Sequence, residues 1–325
     1  MNTTIDVPPA AVLDFFAPQS RHLVWSPAPR GLSGAVVWCG TEKNTPRLAI
    51  KAWPARVTDQ RVREIHTQMR RVEALSFVPR VLAGTGGTVC LLAGRVWDCC
   101  EWKQGEPRYA PTLAQVEAAW AALARLHQLW RGEPHWGVCP AVVNRLRVLA
   151  ECEPLWQIGP HQWPTLPPRL QPFLRDAYFT CRSLVPRVDA QLRELAGRSV
   201  PLQLCLRDVR VEHILFNGDE VCGIIDYGAV AVDHPAVDVA RLWGDYAAGN
   251  DEQMGAAMAA YQRVAGTVPF SEAMVRQLAA TGVICSLVGW LVRLVMKREF
   301  FADIETLVQR LVQLLGRAAT LATWL

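Results

Sequence analysis

The sequence predicts an α+β protein of two lobes, an N-terminal antiparallel sheet with one helix followed by a mainly helical C-terminal lobe. Three observations carry that prediction. Short apolar runs of strand type dominate the first hundred residues, and helical periodicity dominates after them. Within the helical part, two β-type runs flank Asn217-Gly218, the strongest short-range signal for a hairpin. The chain has 325 residues and is 51% hydrophobic, enough to bury two cores. The expected organisation is a lobe over 1–100, a hinge over 101–107 and a second lobe over 108–325.

Leu23 to Trp25 is short and apolar, and Pro29 to Trp38 reads as strand, glycine turn and strand, with Gly31, Ser33 and Gly34 in the turn. Arg47 to Trp53 is an apolar strand carrying Lys51, and a lysine inside such a run requires a partner. Thr58 to Leu75 follows as a helix capped by Thr58 or Asp59, which offers Glu64 and Glu73 as partners; its charges also suit a solvated face. Val89 to Leu92 and Arg95 to Trp102 complete the sheet, and the segment through Glu101 and Trp102 to Pro107 is the expected hinge. From the N-cap Thr112, the positions Leu113, Val116, Trp120, Leu123, Leu126 and His127 have helical period, with His127 as a core histidine. The Pro- and Trp-rich stretch 131–169 reads as an irregular insertion, 172–195 as helix, and 271–325 as two long helices. Leu278 to Val292 is apolar but short for a membrane span, and Arg293, Lys297 and Arg298 close it, so it reads as a buried core helix.

The formal charge of +4 is modest, the pI is 8.6 and the arginines are dispersed, which argues against a nucleic-acid binder. Ten cysteines include the vicinal Cys99-Cys100 but no Cys-x-x-Cys, the usage of a reducing cytoplasm rather than a zinc ribbon or disulfide framework. The segment 1–16 lacks a signal-peptide layout. No internal repeat stands out.

The chemistry concentrates in Leu204 to Gly228. Asp208 precedes the first run of the hairpin and Asp226 ends the second, an arrangement that brings two carboxylates to one end, within reach of one ligand. Phosphoryl transfer needs such a pair, one to orient or deprotonate a hydroxyl and one to hold Mg²⁺ against phosphates. Glycines at 31 and 34 allow close backbone approach to phosphate oxygens, and Lys51 can meet the α- and β-phosphates as a point charge.

These residues resemble the aminoglycoside phosphotransferase and choline-kinase-like small-molecule kinases, whose pattern is H-G-D-x-x-x-x-N, then I-D-F/W-G, then D-P-x-x-D-L-A. Here the elements read Leu206-Arg207-Asp208 to His213, Ile225-Asp226-Tyr227-Gly228, and Asp233-His234-Pro235-Ala236-Val237-Asp238-Val239-Ala240. The resemblance implies a bilobal protein-kinase-like fold, Asp208 as catalytic base, Asp226 as metal ligand, Asp238 as the buried acid bracing the catalytic loop, and Glu64 as the helix partner of Lys51. It further implies a nucleotide site formed by Gly31, Ser33, Gly34, Lys51, Glu64, Glu101 and Trp102, with hinge backbone groups on the adenine edge. The γ-phosphate of ATP, or GTP, would pass to a hydroxyl of a small molecule, with Arg207 or Arg210 offsetting developing charge. Leu206-Arg207 stands where the family has His-Gly, and His213 where it has the metal-binding Asn. An imidazole suits Mn²⁺ better than hard Mg²⁺, so either ion is open at that position, as is a plain loop histidine. The rival reading is a nucleotide-binding pseudokinase with a degraded loop. A metal-dependent hydrolase using Asp208, Asp226 and His213 leaves the glycine loop and Lys51 unexplained. Membrane association is not expected, and the acceptor and oligomeric state stay unassigned.

Overall fold

The computed structural model describes residues 7–325 except 18, 30, 134, 247–249 and 302, so Arg30 of the expected glycine turn and residues 1–6 lie outside the described residues. The chain divides into two compact units, residues 1–108 with 212–230, and residues 109–211 with 231–325.

In the first unit, α1 (Ala10–Phe15) precedes β1 (Val24–Pro27), β2 (Val36–Glu42), β3 (Thr45–Ala52), α2 (Asp59–Arg70), β4 (Cys90–Leu92) and β5 (Arg95–Glu101). The strands form one antiparallel sheet in the order β1-β2-β3-β5-β4. Its core gathers Val12, Phe16, Trp38, Ile50, Trp97 and Cys99, with Trp38 and Trp97 stacked at 5.4 Å between ring centroids. Thr58 caps α2 by accepting from Arg61 N, as its position before the helix predicts. The helix buries Val62, Ile65, His66 and Met69, a stripe at i, i+3, i+4 and i+7 that faces the sheet. A second, three-stranded sheet joins β6 (Glu106–Pro107), β9 (Ile214–Asn217) and β10 (Glu220–Ile224). The β9–β10 turn centres on Gly218-Asp219, with Gly218 at φ 61° and Asn217 paired with Glu220 at the end of β9, so glycine takes the first central position and the asparagine stays in the strand. The hairpin expected in the C-terminal lobe therefore groups with the first unit. Its pairing with β6 and the bond from Ile224 N to Phe77 O at 2.9 Å are the reason.

The second unit holds α3 (Leu113–Trp130), β7 (His135–Gly137), α4 (Pro140–Glu151), α5 (Gln171–Ala196), β8 (Val200–Cys205), β11 (Ala231–Asp233), α6 (Ala236–Tyr246), α7 (Asp251–Ala265), α8 (Glu272–Leu291) and α9 (Ile304–Leu321). The strand run before Asp208 thus ends at Cys205 in β8, and β9 starts only after the loop that carries Asp208. The segment 131–169 is less irregular than its composition predicts. Pro140 opens α4 at its first turn, where no backbone N–H is needed, and Ala141, Val142 and Leu149 bury one face. Thr112 and Gln115 form a capping box on α3.

The helix Glu272–Met296 is long and apolar enough to cross a membrane, but 72% of its apolar window lies inside the fold. Leu278, Ile284, Leu287, Val288 and Leu291 are each fully buried, as expected of a core helix. None of the ten cysteines forms a disulfide.

Candidate active site

In the first unit, β3 carries Lys51 and the end of β10 leads into Asp226. The Lys51 ammonium donates to Asp226 Oδ1 at 3.0 Å, joining residues 175 positions apart, and stands 4.0 Å above the Trp53 ring centroid. Asp226 adopts a left-handed φ of 61° and accepts from Gly228 N at 3.3 Å. Its other oxygen lies 3.9 Å from His213 Nε2. Burial pushes the Asp226 carboxyl up, but Lys51, His213 and the hydrogen bonds from Lys51 and Gly228 outweigh it and hold the group at about 2. The site therefore presents an ionised carboxylate beside an imidazole. That donor pair fits a divalent cation, with the carboxylate suited to Mg²⁺ and the imidazole to Mn²⁺.

The expected partnership of Lys51 with Glu64 is not formed. Glu64 lies off the buried stripe of α2, is exposed, and accepts from Gln60 at 3.1 Å. The residue that α2 turns to the sheet is His66, bonded through Nε2 to Asp98 at 2.9 Å and through Nδ1 to Thr88 at 2.9 Å. Asp98 is the cross-strand neighbour of Lys51, a pairing visible only once register is known. Arg61 supports the Asp226 loop instead, donating to Gly228 O at 3.2 Å and Val230 O at 2.6 Å.

Gly31, Ser33 and Gly34 lie in the turn between β1 and β2, with Gly34 at φ 82° and its carbonyl held by Arg95 at 2.9 Å. At the expected hinge, Glu101 N donates to Arg80 O at 2.8 Å and Trp102 N to Arg47 O at 2.9 Å. These N–H groups are spent within the unit and are not the donors to an adenine edge. The Glu101 carboxylate accepts from Lys103 at 3.1 Å and Arg80 N at 3.2 Å.

In the second unit, Asp238 on α6 is fully buried and uses both oxygens on the loop that carries Asp208. It accepts from Leu206 N and Arg207 N, each at 2.6 Å, and from His127 Nε2 at 3.0 Å, while His127 Nδ1 meets Tyr261 at 2.8 Å. Arg207, where the resemblance has glycine, takes φ 64°, a conformation that favours glycine. Its guanidinium is turned to the buried Asp233, with Nε at 2.9 Å from Oδ2. Arg207 is thus a tether of the loop and not the group that offsets charge at Asp208. The guanidiniums beside Asp208 are those of Arg241, at 2.5 Å, and Arg210, whose Nε is 3.4 Å from Oδ1. Arg241 was not singled out by the sequence, although it lies one helical turn after Asp238.

The model of the phosphotransferase enzyme family matches residues 24–275. The chain belongs to this family. A spectinomycin phosphotransferase in complex with ADP and spectinomycin is similar at 10% identity over 93% of each chain, with a TM-score of 0.65. An aminoglycoside phosphotransferase from Alicyclobacillus acidocaldarius is similar at 16% identity, over 99% of this chain and 96% of that one, with a TM-score of 0.60. An amicoumacin kinase in complex with AMP-PNP, Ca²⁺ and Ami is similar at 12% identity over 96% and 92%, with a TM-score of 0.61. At these identities the likeness shows the protein-kinase-like fold alone. No curated protein matches the sequence.

Proposed function

We propose that this phosphotransferase is a small-molecule kinase that moves the γ-phosphate of ATP or GTP to a hydroxyl. The observation that carries the reading is the Lys51–Asp226 pair at 3.0 Å, a cation for phosphate oxygens beside a carboxylate held ionised. Asp226 and His213 would hold a divalent ion, which when bound neutralises charge on the phosphates. Gly31, Ser33 and Gly34 would cover the phosphates, and the segment around Glu101 and Trp102 would border the base through groups other than their two N–H donors. The first 100 residues would form the nucleotide lobe, 101–107 the hinge and 108–325 the acceptor lobe.

Asp208 is the base in this reading. The acceptor oxygen attacks the γ-phosphorus, its proton passes to an Asp208 oxygen, and the bond from the γ-phosphorus to the β–γ bridging oxygen breaks to release the nucleoside diphosphate. Asp238, by fixing two successive N–H groups of the loop, keeps Asp208 in position for that transfer.

A thermal-unfolding series with ATP, GTP or neither, each with Mg²⁺, Mn²⁺ or chelator, tests the reading on wild type and Asp226→Ala. At ten times Kd the native state gains about 1.4 kcal/mol, which moves the midpoint by a few degrees. The expected result is a metal-dependent shift absent in Asp226→Ala; no shift under any condition sinks it. A nucleotide-binding regulatory role is the second reading, favoured by the engagement of Asp208 by Arg241. Nucleotide shifts without transfer to any acceptor in a broad screen would select it.

A further inference from the structure

The helical unit keeps more positive charge near Asp208 than its own acids balance. A cavity of ≈ 40 Å³ is lined by Arg145 of α4, Arg241 of α6, and Arg310 and Arg317 of α9, with Asp245 the single acid among its lining residues. Arg317 pairs with Asp245, which also accepts from Val211 N at 3.0 Å and so ties α9 to the catalytic loop. Arg241 pairs with Asp208, yet its Nε is buried with no hydrogen-bond partner among the described residues. The other two arginines have only neutral acceptors among the described residues. Arg145 donates to Leu278 O at 2.7 Å and Thr281 Oγ1 at 2.9 Å, and Arg310 to Gln313 Oε1 at 3.5 Å.

Arg145 is held against α8 by its bonds to Leu278 and Thr281. Its guanidinium also lies over Gly282, where a Cβ would stand 2.7 Å away and the side chain would have to shift. Burial, then the neighbouring Arg210, Arg317 and Arg241, push the Arg310 guanidinium down to about 10. Desolvated cations crowded together cost free energy unless a ligand supplies the counter-charge, and guanidinium forks match carboxylate and phosphate oxygens.

We propose that this cavity binds an oxyanion, and that the acceptor is a small hydroxyl compound carrying a carboxylate or phosphate group. The inference rests on Asp208 being the base, since Arg241 touches both that carboxylate and the cavity. The space suits the anionic group and not a whole acceptor, which leaves the hydroxyl on the Asp208 side. A polycationic acceptor would meet net positive charge and be repelled.

The test is thermal unfolding in sodium sulfate against sodium chloride at equal ionic strength, with chelator and no nucleotide, on wild type, Arg310→Gln and Arg310→Lys. Sulfate stabilises proteins generally, so the difference between variants is what counts. Sulfate is expected to raise the wild-type and Arg310→Lys midpoints by a few degrees more than that of Arg310→Gln, while a separate series with ATP and Mg²⁺ in chloride gives the same shift in all three. Equal sulfate gains in wild type and Arg310→Gln overturn the anion site. Turnover is then compared between glycerate and glycerol and between gluconate and glucose. The acid of a pair is expected to exceed its neutral partner about tenfold in kcat/KM, with KM raised about tenfold by Arg310→Gln and restored by Arg310→Lys. Neutral partners used as well as acids overturn the acceptor class. A sulfate gain without any ATP shift supports the anion site while sinking the kinase reading, so the two failures are separable.

Discussion

The two carboxylates that mark the sequence, Asp208 and Asp226, are held in opposite electrostatic settings. Asp226 has one ammonium at 3.0 Å, an imidazole at 3.9 Å and the Trp53 ring beneath the ammonium. Asp208 has two guanidiniums beside it and further arginines behind one of them. One Asp is balanced by its neighbours and the other stands in an excess of positive charge. In the proposed reading the same side chain serves a cation carried by phosphates in one unit and borders an anion site in the other. Surroundings, and not residue type, assign the role.

The comparison breaks most visibly at Asp208. Asp208→Asn removes the proposed base, and turnover should fall about 10²–10⁴-fold while the nucleotide-dependent midpoint shift persists. A loss of that shift would mean that the two settings are not separable. Asp238→Ala leaves two backbone N–H groups and His127 without their shared buried acceptor, and chemical denaturation should report a loss of about 3–5 kcal/mol. A loss below about 1 kcal/mol would show that the loop does not depend on that carboxylate. Arg207→Gly and Arg207→Ala both lose the pair with Asp233, but only glycine accepts φ 64° without strain. Arg207→Gly should therefore be the more stable of the two by about 1–2 kcal/mol, and equal stabilities would show that the left-handed conformation carries no cost.

The Asp226 setting is sharpened by acid. Its folded-state carboxyl is depressed, to about 2, whereas an unfolded Asp titrates near 3.9. The folded state therefore binds fewer protons between those values, so its contribution is full above about pH 4 and is lost as pH falls toward about 2. Wild type should lose stability more steeply through that window than Asp226→Asn; parallel curves would contradict the pairing with Lys51. The smallest effect belongs to Glu64→Ala, an exposed change expected to stay within about 0.5 kcal/mol and to leave nucleotide shifts intact. A lost shift would restore Glu64 as the partner of Lys51.

Local chemistry was legible wherever the determinant lay within a few residues. The hairpin turn after Asn217, the caps at Thr58 and Thr112, the strand segments up to Glu101 and the long C-terminal helices all follow from propensity and periodicity. The misplacement of Glu64 was also avoidable. Val62, Ile65, His66 and Met69 mark the inward face of α2, and position 64 falls outside it. The helix at 140–151 was hidden because Pro and Trp on both sides mask a short apolar stripe. Arg207 could not be read as a tether, because its partner Asp233 lies on a strand after the hairpin.

By itself the sequence determined the N-terminal strands, the hairpin, the long C-terminal helices and the three aspartates worth testing, since each depends on local pattern and spacing. Tertiary structure alone decided which polar side chain meets which: Lys51 with Asp226, His66 with Asp98, and the convergence of Arg145, Arg241, Arg310 and Arg317 from three helices. The physical reason is that periodicity tells which face of an element is apolar. Charged side chains sit at the edges of those faces, and their partners are set by register and helix docking, which no local window contains.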